Sequence, residues 1–404
     1  MKNVGFVEND CFGCSACKCI CPVGAINFIE SNEKFLVPAI NKAKCLECGL
    51  CTEVCPAVHK WCADSTSNEA QIYAFSNQDN AILTESTSGG FFSEAITKYS
   101  ADYVCGCIQD DNFLIKHVVS NSDKTISLMR GSKYVQSNME NCFNEIKDNL
   151  KQGKKVLFSG TSCQVDGLNR FLKRSRIDSS NLLTIDLVCH GVPSPGIYRD
   201  FIKFYEKEKK KPKRHWHRSK YYGWGVELGI ANYIQTISTE TRKDYTSLAA
   251  NIWINAFFSD YCIRECCYNC PYTSINKPAD LTMGDFWGVN DFLQDKKYLG
   301  KGYSLVISRT PKSDKLVKKI DAYHIKKNAT SMVISKQSRL QKPINMPDNR
   351  AMFWEEYIEK GFEHIVKKYY RYTTVNKLIL SMYFISLRLG FRKLATKLAR
   401  QIFY

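Results

Sequence analysis

The sequence predicts a mixed α/β protein. A small cysteine-rich module is expected over residues 1–62, a larger α/β domain in two parts over 72–150 and 151–345, and a basic amphipathic helical extension over 346–404. Three observations carry this expectation. Ten of the 19 cysteines lie between Met1 and Cys62. After a polar linker (Ala63 to Gln71), short apolar runs alternate with helical periodicity, the mark of strand–helix–strand units. Near the C-terminal end, apolar and basic residues separate onto two faces at helical spacing. At 404 residues, with 44% apolar and 24% charged side chains, the chain is long enough for two or three domains and its composition excludes wholesale disorder. The longest apolar run near the C-terminal end, Leu378 to Leu387, has ten residues, against the roughly 20 that span a bilayer. Met1-Lys2-Asn3-Val4 leads into charged, Cys-rich sequence without an apolar leader core. A cytoplasmic chain is therefore expected, in a reducing compartment where clustered cysteines hold metal more often than they form disulfides.

The first module is a repeat. Cys11, Cys14, Cys17 and Cys21 precede Pro22, and Cys45, Cys48, Cys51 and Cys55 precede Pro56, so the pattern C-x2-C-x2-C-x3-C-P occurs twice. Two-residue spacers let three thiolates converge from one tight loop, and the fourth cysteine of each run ligates the other cluster. Cys11, Cys14, Cys17 and Cys55 are thus assigned to one 4Fe–4S cluster, and Cys45, Cys48, Cys51 and Cys21 to a second. A pair of zinc knuckles would explain the thiols but not the duplicated spacing. Between the copies, Ala25–Ile29 and Lys34–Val37 flank Ser31-Asn32-Glu33 as a short hairpin. The segment resembles bacterial dicluster ferredoxins along its whole length. Cys19 and Cys62 fall outside the pattern as bystanders, although Cys19 leaves the local ligand choice open.

In the second part, Lys155–Ser159 is an apolar run with the length of a buried strand. It ends in Gly160-Thr161-Ser162-Cys163-Gln164, after which Val165, Leu168, Phe171 and Leu172 recur at helical spacing. A second strand, Leu182–Val188, ends in Cys189-His190-Gly191-Val192-Pro193. The span from Cys163 to Cys189 matches one strand–helix–strand unit with parallel pairing. Both cysteines then project from the carboxyl edge of one sheet, where open α/β folds place ligands. Cys262, Cys266, Cys267 and Cys270 supply more sulfur; Cys267-x2-Cys270 is a half-site that needs partners from elsewhere. Cys163, Cys189, Cys267 and Cys270 are therefore expected to hold a third 4Fe–4S cluster, with a local zinc site on the four later cysteines, or inert buried thiols, as the alternatives. His190 reads as a turn histidine bonded to backbone rather than as a ligand or proton relay. Cys105, Cys107 and Cys142 read as small buried hydrophobes.

Taken together, these motifs resemble the family of beta subunits of the deazaflavin (coenzyme F-420) hydrogenases and dehydrogenases, in its bacterial branch with a fused dicluster ferredoxin. The matching stretches are Thr87–Phe91, Arg130–Ser137, Gly160–Gln164, Cys189–Ser194, Cys267–Cys270 and Ala279–Gly288, in the family's order over roughly residues 1 to 310. Ser162 departs from the family's frequent proline, and Cys266 from its more usual serine. The resemblance implies a flavoprotein, with FAD in the central domain beside a cluster. Ser88, Gly89 and Gly90 open an expected helix (Phe91, Phe92, Ala95, Ile96, Tyr99) whose N–H groups suit a pyrophosphate, and Gly160 and Thr161, with Gln164 following, offer the same geometry. In Ser132-Lys133-Tyr134 the lysine suits a phosphate or an anionic reduced flavin, and the tyrosine suits stacking on a ring. Without the resemblance, a plain helix cap and a surface loop would be the simpler readings. Asp285–Gly288 reads as lining the same pocket or, equally, as a plain apolar wall.

The expected function follows from this combination. Clusters pass single electrons and a flavin handles one or two, with the organic chemistry residing in the cofactor. The expectation is an iron–sulfur flavoprotein oxidoreductase that moves electrons between ferredoxin-type clusters and FAD to reduce or oxidise a small organic substrate or a deazaflavin-like cofactor. The alternative is an electron-transfer subunit that serves a partner enzyme; an assembly protein with structural metals is weaker. The formal charge is +17, and +15 of it lies in two segments, Lys203–Lys220 and Gly361–Tyr404. The first, in which Lys207, Lys209, Lys210, Lys211, Lys213 and Arg214 precede His215-Trp216-His217, is expected to be a solvated loop that docks an acidic redox partner. No nucleic-acid module surrounds it. In the second, Val375, Leu378, Ile379, Met382, Ile385 and Leu389 form a stripe opposite Lys377, Ser381, Arg388 and Arg392. Phe391, Leu394, Ala395, Leu398 and Ile402 then resume an apolar face against Arg392, Lys393, Lys397 and Arg400. Such a helix suits peripheral contact with the inner face of a membrane, or packing on the protein's own core or at a subunit interface.

Overall fold

The computed structural model describes residues 3–7, 9–62, 70–209, 211–220, 223–224, 235–240, 243–244, 247–293, 300–391, 394–395 and 397–398. Most of the linker, together with Lys210, Arg392, Lys393, Arg400 and Ile402, lies outside these residues. In the cysteine-rich module, β1 (Ile26–Glu30) and β2 (Leu36–Ile40) pair antiparallel, Ile26 opposite Ile40, as the hairpin expectation required. The two cysteine loops share one backbone shape. Gly13 and Ser15 in the first copy and Glu47 and Gly49 in the second, all between two cysteines of their run, have positive φ. These pairs stand at equivalent positions of the repeat. Left-handed residues at those points curl the chain so that thiols from one loop face inward together. Gly13 is obligatory in the first loop for a second reason: a Cβ there would run into the Gln136 side chain.

The larger body is built on one eight-stranded mixed sheet. Its strands are β3 (Gln71–Phe75), β4 (Tyr103–Gln109), β5 (Ile115–Ser120), β6 (Val156–Ser159), β7 (Leu182–Leu187) and, after a small antiparallel sheet of β8 (Arg214–Trp216), β9 (Thr236–Ser238) and β10 (Lys243–Asp244), β11 (Leu281–Asp285), β12 (Ser304–Ser308) and β13 (Tyr323–Ile325). The order is β13-β3-β12-β11-β7-β6-β4-β5. The four central strands, β11, β7, β6 and β4, run parallel, and the flanking strands are antiparallel. Val156-Leu157-Phe158 is buried on both faces, as a central parallel strand covered by helices must be. The expected strand–helix–strand unit is present: helix Ser162–Arg174 connects β6 to β7, with Val156 opposite Leu182.

Helices Pro195–Glu208, Leu248–Phe258, Arg350–Lys360, Phe362–Lys368 and Thr374–Arg388 pack through an aromatic core that includes Tyr205, Trp253, Phe353, Tyr370 and Tyr383. Helix Pro195–Glu208 starts where its sequence directs, because the Ser194 hydroxyl accepts from Ile197 N–H and Pro195 occupies the first turn. The basic stretch from Lys203 to Lys220 is not a solvated loop. Lys203 and Lys207 sit on that helix, paired with Asp200 and Glu363, whereas His215, His217 and Arg218 are buried. Arg218 pairs with Asp285, and Lys220 donates to the carbonyls of Leu83, Ser88 and Lys301. The inward half departs from expectation because long cationic side chains with internal acceptors look like surface in a sequence.

The module and the body form a continuous structure held by buried arginines. Arg264 donates to the Cys11 carbonyl, to the Leu36 carbonyl at 3.0 Å and to Gln136 Oε1 at 2.5 Å. Arg350 grips Glu33 with both terminal nitrogens and reaches the Ile263 carbonyl at 3.0 Å. Hydrogen bonds from a buried charged group contribute about 1.5–3 kcal/mol each. Arg264→Met is therefore expected to lower the unfolding free energy by about 3 kcal/mol or more, read as a shift in denaturant midpoint; an unchanged midpoint would contradict this account. A second expectation concerns Ser162. It is the first residue of its helix, its hydroxyl is buried without a hydrogen-bond partner, and Thr161 before it is extended (φ −72°, ψ 158°), a conformation that tolerates a following proline. Ser162→Pro should raise stability by about 0.5–1 kcal/mol, measured by the same titration.

Candidate metal centres and the adjoining cavity

The thiols converge in sets. A small cavity is walled by Cys11, Cys14, Cys17 and Cys55 together with Val4, Val7, Phe28 and Pro38, so the last cysteine of the second run faces the first three of the first. Burial, then the charge of Cys55, holds the Cys14 thiol well above its usual range, with Cys11 and Cys163 adding to the effect. Thiols held up by burial and by neighbouring thiols, as Cys14, Cys17 and Cys55 are, cannot all ionise in an apolar pocket unless a cationic core neutralises them. The chemistry of this donor set fits an iron cube. Cys11 Sγ accepts from Gly13 N–H at 3.3 Å, and Cys21 Sγ from Ala25 N–H at 3.2 Å; such N–H···S bonds tune cluster potentials. Cys48 is exposed, and Cys21 and Cys45 are half-buried, so the second set lies at the surface beside exposed Leu46. Cys19 points away, into the core with Cys142 and Phe143, where burial pushes it up to about 11.

The third set forms inside the body. Cys163 is held well above its usual range by burial, with Cys270, Cys267 and Cys189 adding their charge. Burial and then Cys267 raise Cys189 to about 11 and Cys270 to about 12. Cys262 does not join them, its Sγ donating to the Ala256 carbonyl at 3.4 Å; Cys266 Sγ donates to the Cys11 carbonyl, also at 3.4 Å, while its hydrogen bond with Cys267, ahead of burial, raises the Cys267 thiol. A local site on all four later cysteines therefore does not form. Among the described residues, no three His, Cys, Asp or Glu side chains lie at single-ion spacing; a cube holds its thiolates farther apart, one on each iron.

The first and third sets are neighbours. A Cβ on Gly167, one turn beyond Cys163, would come within 2.8 Å of Cys14 Sγ; the absence of a side chain there lets the two loops meet. Tyr272 lies between them. Its ring packs against Phe12 and Trp61, its hydroxyl donates to Asp166 at 2.8 Å, and burial first, with Asp166, Cys163 and Cys14 after it, keeps it protonated.

Beyond the third set, at the carboxyl ends of β6, β7 and β11, opens a cavity of ≈ 510 Å³, within the size range of cofactor sites. Cys189 lines it, as do Ser88, Gly90, Ser132, Lys133, Tyr134, Gly160, Thr161 and Gln164. These include residues that the sequence suggested for a flavin site, but several contacts differ from expectation. Gly89 does not line the cavity; its N–H donates to Ser304 Oγ at 3.0 Å, and strand backbone leaves no room for a Cβ. The Gly160 and Thr161 N–H groups are already taken, by the Ile185 carbonyl and by Gln164 Oε1 at 2.8 Å, so this helix start is a capping box rather than an open phosphate cradle. Lys133 Nζ donates to the Leu128 and Arg130 carbonyls at 2.7 and 2.9 Å, and burial lowers it to about 8. Tyr134 stacks on Phe257, with ring centroids 4.4 Å apart. Cys107, expected in the core, lines the cavity, whereas Cys105 and Cys142 are core.

His190 is the clearest correction. Its Nε2 meets the Asp260 carboxylate at 2.7 Å instead of backbone, and its ring, 4.7 Å from Phe257, faces the cavity. Asp260 is remote in the chain and could not be paired with His190 from the sequence. The sequence also left unmarked His117, a cavity-lining residue whose Nε2 meets the Ser159 carbonyl at 3.0 Å and which burial lowers to about 4. Also unmarked was the segment Lys336–Arg339, which closes one side. Arg339 Nη1 is buried there without a hydrogen-bond partner. An apolar hollow with Phe91, Phe257, Phe258 and Trp287 on its walls and cationic Arg130, Lys133, Lys336 and Arg339 around it fits a planar ring attached to an anion.

Fold and thiol geometry define an iron–sulfur electron-transfer protein. Residues 10–58 match a 4Fe-4S dicluster domain, and residues 153–331 match the family described as the C terminus of the coenzyme F420 hydrogenase/dehydrogenase beta subunit. The dicluster module thus lies ahead of a region similar to this oxidoreductase family's C-terminal domain. The F subunit of the F(420)H(2) dehydrogenase of Methanosarcina mazei is 21% identical over 192 residues, 45% of this chain and 54% of that protein; the chain thus spans about half the length of this relative. A chain of the F420-reducing NiFe hydrogenase complex from Methanosarcina barkeri aligns with a TM-score of 0.42 and 15% identity, covering 78% of this chain and 97% of that one.

The third set has a direct test. Three cubes require about 12 irons per chain and two require about 8. Cys163→Ser or Cys189→Ser should remove about four irons, whereas Cys266→Ser should remove none, by anaerobic iron and sulfide analysis. An unchanged count in the first two variants would eliminate the site.

Proposed function

We propose that this protein is an iron–sulfur flavoprotein oxidoreductase that exchanges electrons between its ferredoxin-type module and an organic molecule in the ≈ 510 Å³ cavity. The observation that carries the reading is spatial order: a surface thiol set at Cys48, a buried set against Cys163, a third set, and a cavity lined by Cys189. When bound, three 4Fe–4S clusters would supply one-electron steps and FAD would join them to two-electron chemistry. Cys11, Cys14, Cys17 and Cys55, then Cys21, Cys45, Cys48 and Cys51, then Cys163, Cys189, Cys267 and Cys270 are the ligands of this reading. Ser88, Gly90, Ser132, Tyr134, Gly160 and Thr161 form the flavin-binding wall, with Lys133 and Gln164 bracing it and Gly89 setting its strand contact.

The chain's own residues have definable tasks. Phe91, Phe257 and Trp287 exclude water and offer faces for a flat ring. Arg339, with an open donor, binds the anionic part of the bound molecule. His190 donates from Nε2 to Asp260, which orients the ring and leaves Nδ1 as the atom that takes or gives a proton to a molecule beside it. An acidic redox partner meets the exposed edge near Cys48 and Leu46, and the exposed lysines Lys209, Lys211 and Lys213 favour its approach. The protein's own oxidoreductase activity, with a small organic molecule or a deazaflavin-like cofactor as substrate, is preferred. An electron-transfer subunit that serves a partner enzyme is the second reading, favoured by the relative's designation as a subunit.

The experiment is anaerobic purification followed by acid release of flavin and turnover of reducible metabolites with a chemical reductant. Stoichiometric flavin and turnover by this polypeptide alone are expected. Arg339→Ala should weaken retention of flavin, or raise KM for the acceptor, by about tenfold or more. Material without releasable flavin would refute the flavoprotein, and turnover that always requires a second polypeptide would establish the carrier role.

A further inference from the structure

The C-terminal helix Thr374–Arg388 presents two apolar faces, and only one is used. Its inner face, Leu380, Tyr383 and Phe384, is at most 4% exposed and joins the aromatic core. On the other face Val375, Leu378, Met382 and Ile385 are 54–64% exposed, and Leu389, Phe391 and Leu394 continue the stripe at 47–65%. The residues whose spacing marks this helix as amphipathic are, apart from the half-buried Ile379, the ones that do not pack on the protein. They are neighbours at i, i+3, i+4 and i+7 spacing, so they form one contiguous strip. Exposed apolar strips of this kind mark interaction surfaces.

Charge identifies the occupant. Nine Lys and Arg, and no Asp or Glu, follow Glu363 to the end of the chain. Lys377 and Arg388 border the strip along one edge, and Lys397 is exposed beyond it. A second copy of the chain would bring the same positive charge to the same face, which opposes self-association through it. The strip holds no polar side chain that could fix a protein partner in one orientation by hydrogen bonding, whereas a fluid acyl layer needs none. Among the described residues no helix is long and apolar enough to cross a membrane, and a 15-residue helix of ~22 Å with one face already packed on the body can only lie along a surface. We infer that the outer face of helix Thr374–Arg388, continued through Leu389, Phe391 and Leu394, docks this protein on an anionic lipid bilayer, with the apolar strip in the acyl boundary and the flanking cations at the headgroups. The inference is independent of the redox reading, because it uses none of the thiols or cavity residues.

The test is co-sedimentation of the full-length, cluster-loaded protein with vesicles of phosphatidylcholine, and with vesicles in which a third of the lipid is phosphatidylglycerol. Binding to the anionic vesicles should be at least tenfold stronger and should weaken with salt. Leu378→Asp/Met382→Asp, both at exposed positions, should reduce it at least tenfold while iron content and thermal unfolding stay unchanged. Lys377→Gln and Lys397→Gln should each weaken it about fivefold. Equal partition to both vesicle types would overturn the inference, as would vesicle binding by the double variant at the wild-type level. A dimer that the double variant converts to monomer, without vesicle binding, would assign the face to a second copy and equally overturn it.

Discussion

Arg264 holds this structure in its working arrangement. The residue is 3% exposed, and its guanidinium joins three segments that are apart in sequence: the first cysteine loop at Cys11, the hairpin at Leu36 and the body at Gln136. A planar, permanently charged fork suits this task, since it directs donors along several fixed lines and cannot be neutralised. Arg350 and Glu33 repeat the arrangement on the other side of the hairpin. The result is a cysteine module seated so that Cys14 lies against the helix that carries Cys163. Without that seating the module would be an independent carrier, and the order of thiol sets from surface to cavity would not exist.

The second constraint is electrostatic. Thiols at Cys14, Cys163, Cys189 and Cys270 are pushed upward by burial and by neighbouring thiols, and Cys267 by its hydrogen bond with Cys266 and then by burial. Concentrating ionisable sulfur in an apolar interior opposes folding unless something positive occupies the centre. The same burial that makes the metal-free arrangement unfavourable makes it well suited to hold iron away from water. The surface set, with Cys48 exposed, is where exchange with another molecule is open. The C-terminal helix adds a separate logic: the face that packs completes the aromatic core, and the face that does not is available to a boundary outside the protein.

Much of the fold and site is legible in the chain, for identifiable reasons. The duplicated cysteine spacing is a local signal, because three thiolates must come from one loop, and its backbone correlate is the pair of left-handed residues in each copy. The unit from β6 to β7 is legible because an apolar run, a glycine turn and a helical period follow one another directly between Lys155 and Val188. The exposure of Leu378 and Met382 is not legible: helical periodicity shows that a stripe exists but not which of two apolar faces the core takes. Strand β3 is hidden for another reason. Its partners β12 and β13 come late in the chain, and Gln71–Phe75 carries no distinctive pattern of its own.

By itself the sequence determined the two cysteine loops of the dicluster module and the presence of thiols at two strand ends on one edge of a sheet, since each depends on short-range spacing. Only the tertiary structure decided which late cysteines face Cys163, that His190 answers to Asp260, that Gly160 and Thr161 are closed by a capping box and that Arg339 reaches the cavity. Those relations depend on geometry that is set by packing, which no local periodicity encodes.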